Sequence, residues 1–195
     1  MRAVVAAFVA LSIISTGAYA FDPAAVPAAK RTKIGQYLSA QEAASFVEKK
    51  PSNVLFLDLR TPAEVAFLGM AASADANVPY MIEPEFRTWD SAKSNFKLEN
   101  NPDFLPEVRR RLAAKKLAAD APIILMCRSG DRSAAAANLL AEAGFKNVYS
   151  VVDGYEGDLA TEGPKTGQRA VNGWKNAGLP WSYKLDKAKM YHVDN

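Results

Sequence analysis

The chain carries one cysteine and one histidine in 195 residues, and each scarcity excludes chemistry. A single thiol rules out an intramolecular disulfide, a CxxC redox pair and a cysteine-rich zinc site. A single imidazole rules out a histidine-cluster metal site and leaves little for Ser–His or Cys–His catalysis. Neither metal nor cofactor is expected. Charge of one sign is scarce too: 24 Lys and Arg stand against 21 Asp and Glu, a net of +3. That mild excess gives no basis for a nucleic-acid partner. The only long apolar run is N-terminal and too short to span a bilayer comfortably. With 49% hydrophobic and 23% charged residues, the remainder reads as one globular domain with modest additions.

The N-terminal run has the form of an export signal. Arg2 supplies a positive start, Val4 to Ile14 is almost wholly apolar, and Ala18-Tyr19-Ala20 ends in a small-x-small pattern. Residues 1–20 are therefore expected to be a cleaved signal peptide. The mature protein is expected to be periplasmic, without stable membrane insertion. Residues 21–33, rich in Pro and Ala, read as a linker, 34–184 as the domain and 185–195 as a C-terminal tail.

Apolar runs alternate with capped helices along the domain. Ser39 and Glu42 form a capping box, opening a helix that runs to about Lys50. Residues 54–57 (VLFL) and 122–126 (PIILM) read as strands buried on both faces, and 148–152 as a further strand. Thr61 and Glu64 form a second capping box, with Pro62 at the first helical position. A short strand is expected at 77–80, a polar excursion over 81–102, and an amphipathic helix from Asp103 to Leu117. The basic run of Arg109 to Arg111 with Lys115 and Lys116 reads as a solvated helix face. A helix from about Ser133 to Ala143 ends at Gly144, and a short one is expected around Trp174. This alternation indicates an α/β domain around a mostly parallel sheet.

The chemistry concentrates where strand 122–126 runs into Cys127-Arg128-Ser129-Gly130-Asp131-Arg132-Ser133. In parallel sheets, ligands sit beyond the carboxyl ends of the strands. There, loop amides and the orphan N–H groups of the next helix favour an anion. Arg128 and Arg132 add full positive charges. Together these favour the nucleophilic thiolate over the thiol and a small anionic substrate with an electrophilic atom. Asp58 and Arg60 follow the neighbouring strand and are expected to support the loop, more as a bracing ion pair than as substrate contacts.

CRSGDRS after an apolar strand, preceded by Asp58-Leu59-Arg60 and Glu64, resembles the rhodanese family of sulfurtransferases. Asn77-Val78-Pro79, Val152-Asp153-Gly154-Tyr155 and Gly173-Trp174 extend the resemblance over nearly the whole mature chain. It is strongest to exported single-domain members from Gram-negative bacteria. The resemblance implies a five-stranded, mostly parallel sheet with helices on both faces. It also implies that Cys127 takes sulfane sulfur from an anionic donor such as thiosulfate, forming a persulfide. Cyanide or a thiol, or a protein acceptor, would then remove it. Residues 128–133 would form the active loop, with its amides stabilising the sulfur and Arg128 and Arg132 holding the donor. A low-turnover sulfur carrier or interaction module serving a dedicated partner is the alternative. Phosphatases sharing the fold use Cys-x5-Arg, but here Arg132 comes one residue too early and Ser133 holds the sixth position. Gly69-Met70-Ala71 departs from the family's Gly-His-Ile. Segments 81–102 and 155–172 are additions that can overhang the pocket.

Overall fold

The computed structural model describes residues 22–192, so the expected signal peptide and the last three tail residues lie outside the described residues. In chain order, the first half comprises β1 (Tyr37–Leu38), α1 (Ala40–Lys49), β2 (Leu55–Asp58), α2 (Pro62–Leu68), β3 (Met70–Ala71) and β4 (Ala76–Asn77). Four two-residue strands follow: β5 (Met81–Ile82), β6 (Trp89–Asp90), β7 (Asn95–Phe96) and β8 (Glu99–Asn100). The second half contains α3 (Phe104–Ala114), β9 (Ile123–Met126), α4 (Asp131–Glu142), β10 (Val148–Val151) and β11 (Trp181–Ser182).

Five strands form the central sheet in the order β1-β10-β9-β2-β4, all parallel. Strand β9 sits in the middle, with Leu55 to Asp58 in register with Ile123 to Met126. Successive side chains of a strand point to opposite faces. Phe56, Ile124 and Met126 accordingly pack with Ala43 and Val47 of α1, Val65 of α2 and Trp174. Leu55, Leu57, Ile123 and Leu125 pack with Val108 of α3 and Leu140 of α4. The apolar runs are continuous because both faces are covered.

Both helix-opening signals act as expected. The Ser39 hydroxyl accepts from the Glu42 amide at 3.2 Å while Glu42 accepts from the Ser39 amide at 2.7 Å. Thr61 and Glu64 repeat the arrangement at the start of α2.

Four expectations need correction. The helix after Cys127 begins at Asp131, two residues early, so Asp131 and Arg132 belong to its first turn. The segment around Trp174 forms turns rather than a helix, with Ala177 donating to Gly173 and Gly178 to Lys175. The basic face of α3 is only partly solvated. Arg111 pairs with Glu107 and donates to the carbonyls of Ala188 and Met190, tying down the tail. Lys115 pairs with Asp75 and donates to the Val54 carbonyl. Finally, residues 22–33 do not hang free. Two short 3-10 turns lay Val26 and Lys30 into the body of the domain, 1% and 7% exposed.

Candidate active site

Cys127 follows the last residue of β9, and its side chain is 1% exposed. One side packs against the apolar layer of α3 and α4, and the other forms part of a cleft of about 900 Å³. The turn from β9 to α4 is tight. Gly130, with a φ of 101°, is the N-cap of α4, and its amide donates to the Cys127 sulfur at 3.2 Å. That donor sits where helix amides lack intrahelical partners. Among the described residues it is the one amide bonded to this sulfur, where the sequence suggested several.

The turn after β10 fastens the loop from behind. Tyr155 donates to the Cys127 carbonyl at 2.8 Å, and Glu156 to that of Arg128 at 2.9 Å. Gly154 permits the approach, because a Cβ there would stand 2.6 Å from the Arg128 carbonyl carbon and from the Ser129 amide nitrogen. Asp153 completes this corner, accepting from the amides of Ala40 and Gly173. Burial raises its carboxyl above the ordinary value.

The loop's charges differ in kind. Arg132, in the first turn of α4, is held by both oxygens of Glu64 at 2.6 and 2.7 Å. Burial pushes the Glu64 carboxyl up, but the Arg132 hydrogen bonds and charge outweigh it and hold the group below its ordinary value. Glu64 therefore serves twice, capping α2 and anchoring α4 to it. Arg128 has no such partner among the described residues. It lines the cleft, and its Nε is buried without an acceptor among the described residues. Arg169 adds positive charge near it, and burial together with Arg128 holds its guanidinium below the ordinary value. Ser129 donates to Asp131 at 3.1 Å, and Ser133 is buried in the first turn of α4.

Asp58 and Arg60 form a fully buried ion pair, Nη2 to Oδ2 at 2.6 Å. Arg60 also donates to the Gly69 carbonyl at 2.7 Å, and its guanidinium lies 3.6 Å from the centre of the Tyr155 ring. This pair does not line the cleft. It holds the end of β2 and the Tyr155 turn together, so its support of Cys127 runs through packing.

One contributor escaped the sequence reading. Lys30, from the expected linker, donates to the Val152 carbonyl at 3.0 Å and pairs with Asp158 at 2.6 Å. That carbonyl packs directly on Gly130, closer than any Cβ there would allow. The leader thus backs the amide that meets the sulfur. No apolar periodicity marks it, and in sequence Lys30 is one of three basic residues in the run Lys30-Arg31-Thr32-Lys33. The 81–100 segment, read in the sequence as an addition able to overhang the pocket, does line the cleft. Strands β5 with β8 and β6 with β7 form two small antiparallel ribbons, and their residues line the same cleft as Cys127. Segment 155–172, the other expected overhang, does not line this cleft.

A five-stranded parallel sheet with a cysteine loop between its central strand and a helix N-terminus defines an α/β domain built around a single thiol. The chain belongs to the rhodanese-like domain family, whose model matches residues 39–160. It is 30% identical over 132 residues to an uncharacterized protein of Rickettsia prowazekii, covering 68% of this chain and 85% of that one. It is 36% identical over 100 residues to thiosulfate sulfurtransferase 16, chloroplastic, of Arabidopsis thaliana, covering 51% of this chain and 69% of the relative. The crystal structure of Rv0390 from M. tuberculosis matches with a TM-score of 0.56 and 28% identity, over 75% of this chain and 96% of that one. Sulfurtransferases are thus among the relatives of this chain.

Proposed function

We propose that the protein is a sulfurtransferase that carries sulfane sulfur on Cys127. The observation that carries this reading is the Gly130 amide at 3.2 Å from the Cys127 sulfur, on a thiol that opens to the cleft. In the first half-reaction, the Cys127 thiolate attacks the outer sulfur of an anionic donor such as thiosulfate. The donor's S–S bond breaks, sulfite leaves with the electron pair, and Cys127 becomes a persulfide. In the second, a nucleophile such as cyanide or a thiolate takes the outer sulfur and returns the electron pair to Cys127. Splitting the transfer into two displacements needs one thiol and no histidine base.

Supporting roles follow from the geometry. The Gly130 amide offers preorganised stabilisation to negative charge on sulfur. Arg128, with no carboxylate partner among the described residues, receives the donor's anionic end. Arg132 does not share that task in this reading, because Glu64 occupies both of its terminal nitrogens. Export to the periplasm is part of the same proposal and rests on the apolar run Val4 to Ile14 and the small-x-small pattern ending at Ala20. N-terminal sequencing of protein from the periplasmic fraction tests it, with Phe21 as the expected first residue and an intact Met1 as the contrary result.

Purified mature protein is expected to form thiocyanate from thiosulfate and cyanide, and Cys127→Ala to abolish it. Activity retained in that variant would overturn the mechanism.

A further inference from the structure

The cleft is larger and more positive than a small dianion requires. Its volume of about 900 Å³ is in the range of sites that enclose whole organic ligands. Its carboxylates are engaged: Glu64 by Arg132, Glu83 by Arg87 at 3.6 Å, Asp131 by Ser129, and Asp90 by the amides of Ala92 and Lys93. Three cations lining the cleft have no carboxylate partner among the described residues: Lys93, Lys97 and Arg128. Two of the three, Lys93 and Lys97, stand on the β6–β7 ribbon that lines the cleft with Cys127. That ribbon is braced, with Trp89 edge-on to Phe96 at 5.4 Å and the Lys97 amide bonded to the Thr88 carbonyl at 2.8 Å. Its lysines are therefore presented by an ordered turn.

We propose that the 81–100 ribbon selects the sulfur acceptor, with Lys93 and Lys97 binding the carboxylates of a peptide-sized anionic thiol. This rests on the persulfide reading of Cys127 and adds the acceptor's chemical class and the residues that recognise it. With the carboxylates held on the ribbon, the acceptor's thiolate attacks the outer sulfur of the Cys127 persulfide. A new S–S bond forms on the acceptor, the Cys127–S bond breaks, and its electron pair returns to Cys127 as thiolate. No external oxidant or reductant is needed.

The test compares two acceptors on one loaded enzyme. Wild type and the Lys93→Glu/Lys97→Glu double variant are treated with thiosulfate, and intact mass is read for one added sulfur atom on each. Steady-state kinetics follow with glutathione, which carries two carboxylates, and with neutral 2-mercaptoethanol. The variant is expected to load sulfur normally. Its KM for glutathione, relative to that for 2-mercaptoethanol, is expected to rise roughly fivefold to tenfold, the effect of reversing two exposed charge contacts. Added salt should shrink the wild-type preference, since exposed charges are screened. Normal loading with an unchanged ratio would overturn this proposal alone. So would a wild-type enzyme that prefers the neutral thiol, or one that passes sulfur only to a protein thiol. Failure of both proteins to take up sulfur would overturn the persulfide reading and this proposal with it.

Discussion

Gly130 and Gly154 shape the Cys127 loop from opposite sides, and each matters for the atom it lacks. A Cβ on Gly154 would press into the backbone between Arg128 and Ser129, which has no flexible end to yield. At a φ of 62° it would also add backbone strain. Gly154→Ala is expected to cost about 1–3 kcal/mol of stability and to reduce thiocyanate formation by more than tenfold. Thermal melting and the thiosulfate–cyanide assay check the two effects separately. Arg60 is a different case, because its ion pair compensates the burial of the Asp58 carboxylate. Truncating it strands Asp58 as a fully buried, uncompensated carboxylate, so Arg60→Ala is expected to lose about 3–5 kcal/mol. Denaturant unfolding measures this, and a loss under 1 kcal/mol would contradict the bracing role.

The junction between α2 and α4 depends on one carboxylate. Glu64 accepts from the Thr61 amide at 2.9 Å while gripping Arg132, so the two helix N-termini beside the cleft move together. Because its folded carboxyl lies below the ordinary value of 4.5, its contribution is complete above the ordinary carboxylate range. It disappears as pH falls through the depressed folded value. Glu64→Gln is expected to cost about 1–3 kcal/mol at neutral pH, with the difference from wild type closing as the solution is acidified. A difference that widened in acid would contradict this sign. The leader makes a second junction. Lys30→Met removes its bonds to Val152 and Asp158 but keeps most of the side-chain volume. The variant is expected to lower the rate of sulfur loading severalfold, with Lys30→Arg restoring part of it. Equal rates in all three proteins would show that the leader does not position the loop.

These elements also show what a linear reading can and cannot reach. Capping boxes, apolar runs and the glycine-containing turn after β9 are local, so Ser39, Thr61, residues 122–126 and Cys127 were legible. The two-residue strands β5 to β8 carry no periodic signal, and their ribbons are held by pairing within a polar segment. Lys30 and Arg111 make contacts 122 and up to 79 residues away in the chain. Their burial is set by tertiary packing, which composition cannot reveal. Arg128 and Arg132 looked equivalent in sequence. Only the position of Glu64, on another helix, gives Arg132 a carboxylate that Arg128 lacks among the described residues.

The complete domain arranges these parts around one opening. The sheet places Cys127 at the carboxyl end of its central strand, and α4 presents its N-terminus to the sulfur. The Tyr155 turn and the residue 22–33 segment brace the loop from behind, and the 81–100 segment lines the cleft. In this member of the rhodanese-like family, the chain's one thiol lies at that opening. The most direct test is intact-mass analysis of the mature protein before and after thiosulfate, then after cyanide. One added sulfur atom on wild type, removed by cyanide and absent from Cys127→Ser, is the expected result. Sulfur taken up equally by the Cys127→Ser protein, or by neither protein, would contradict the persulfide account.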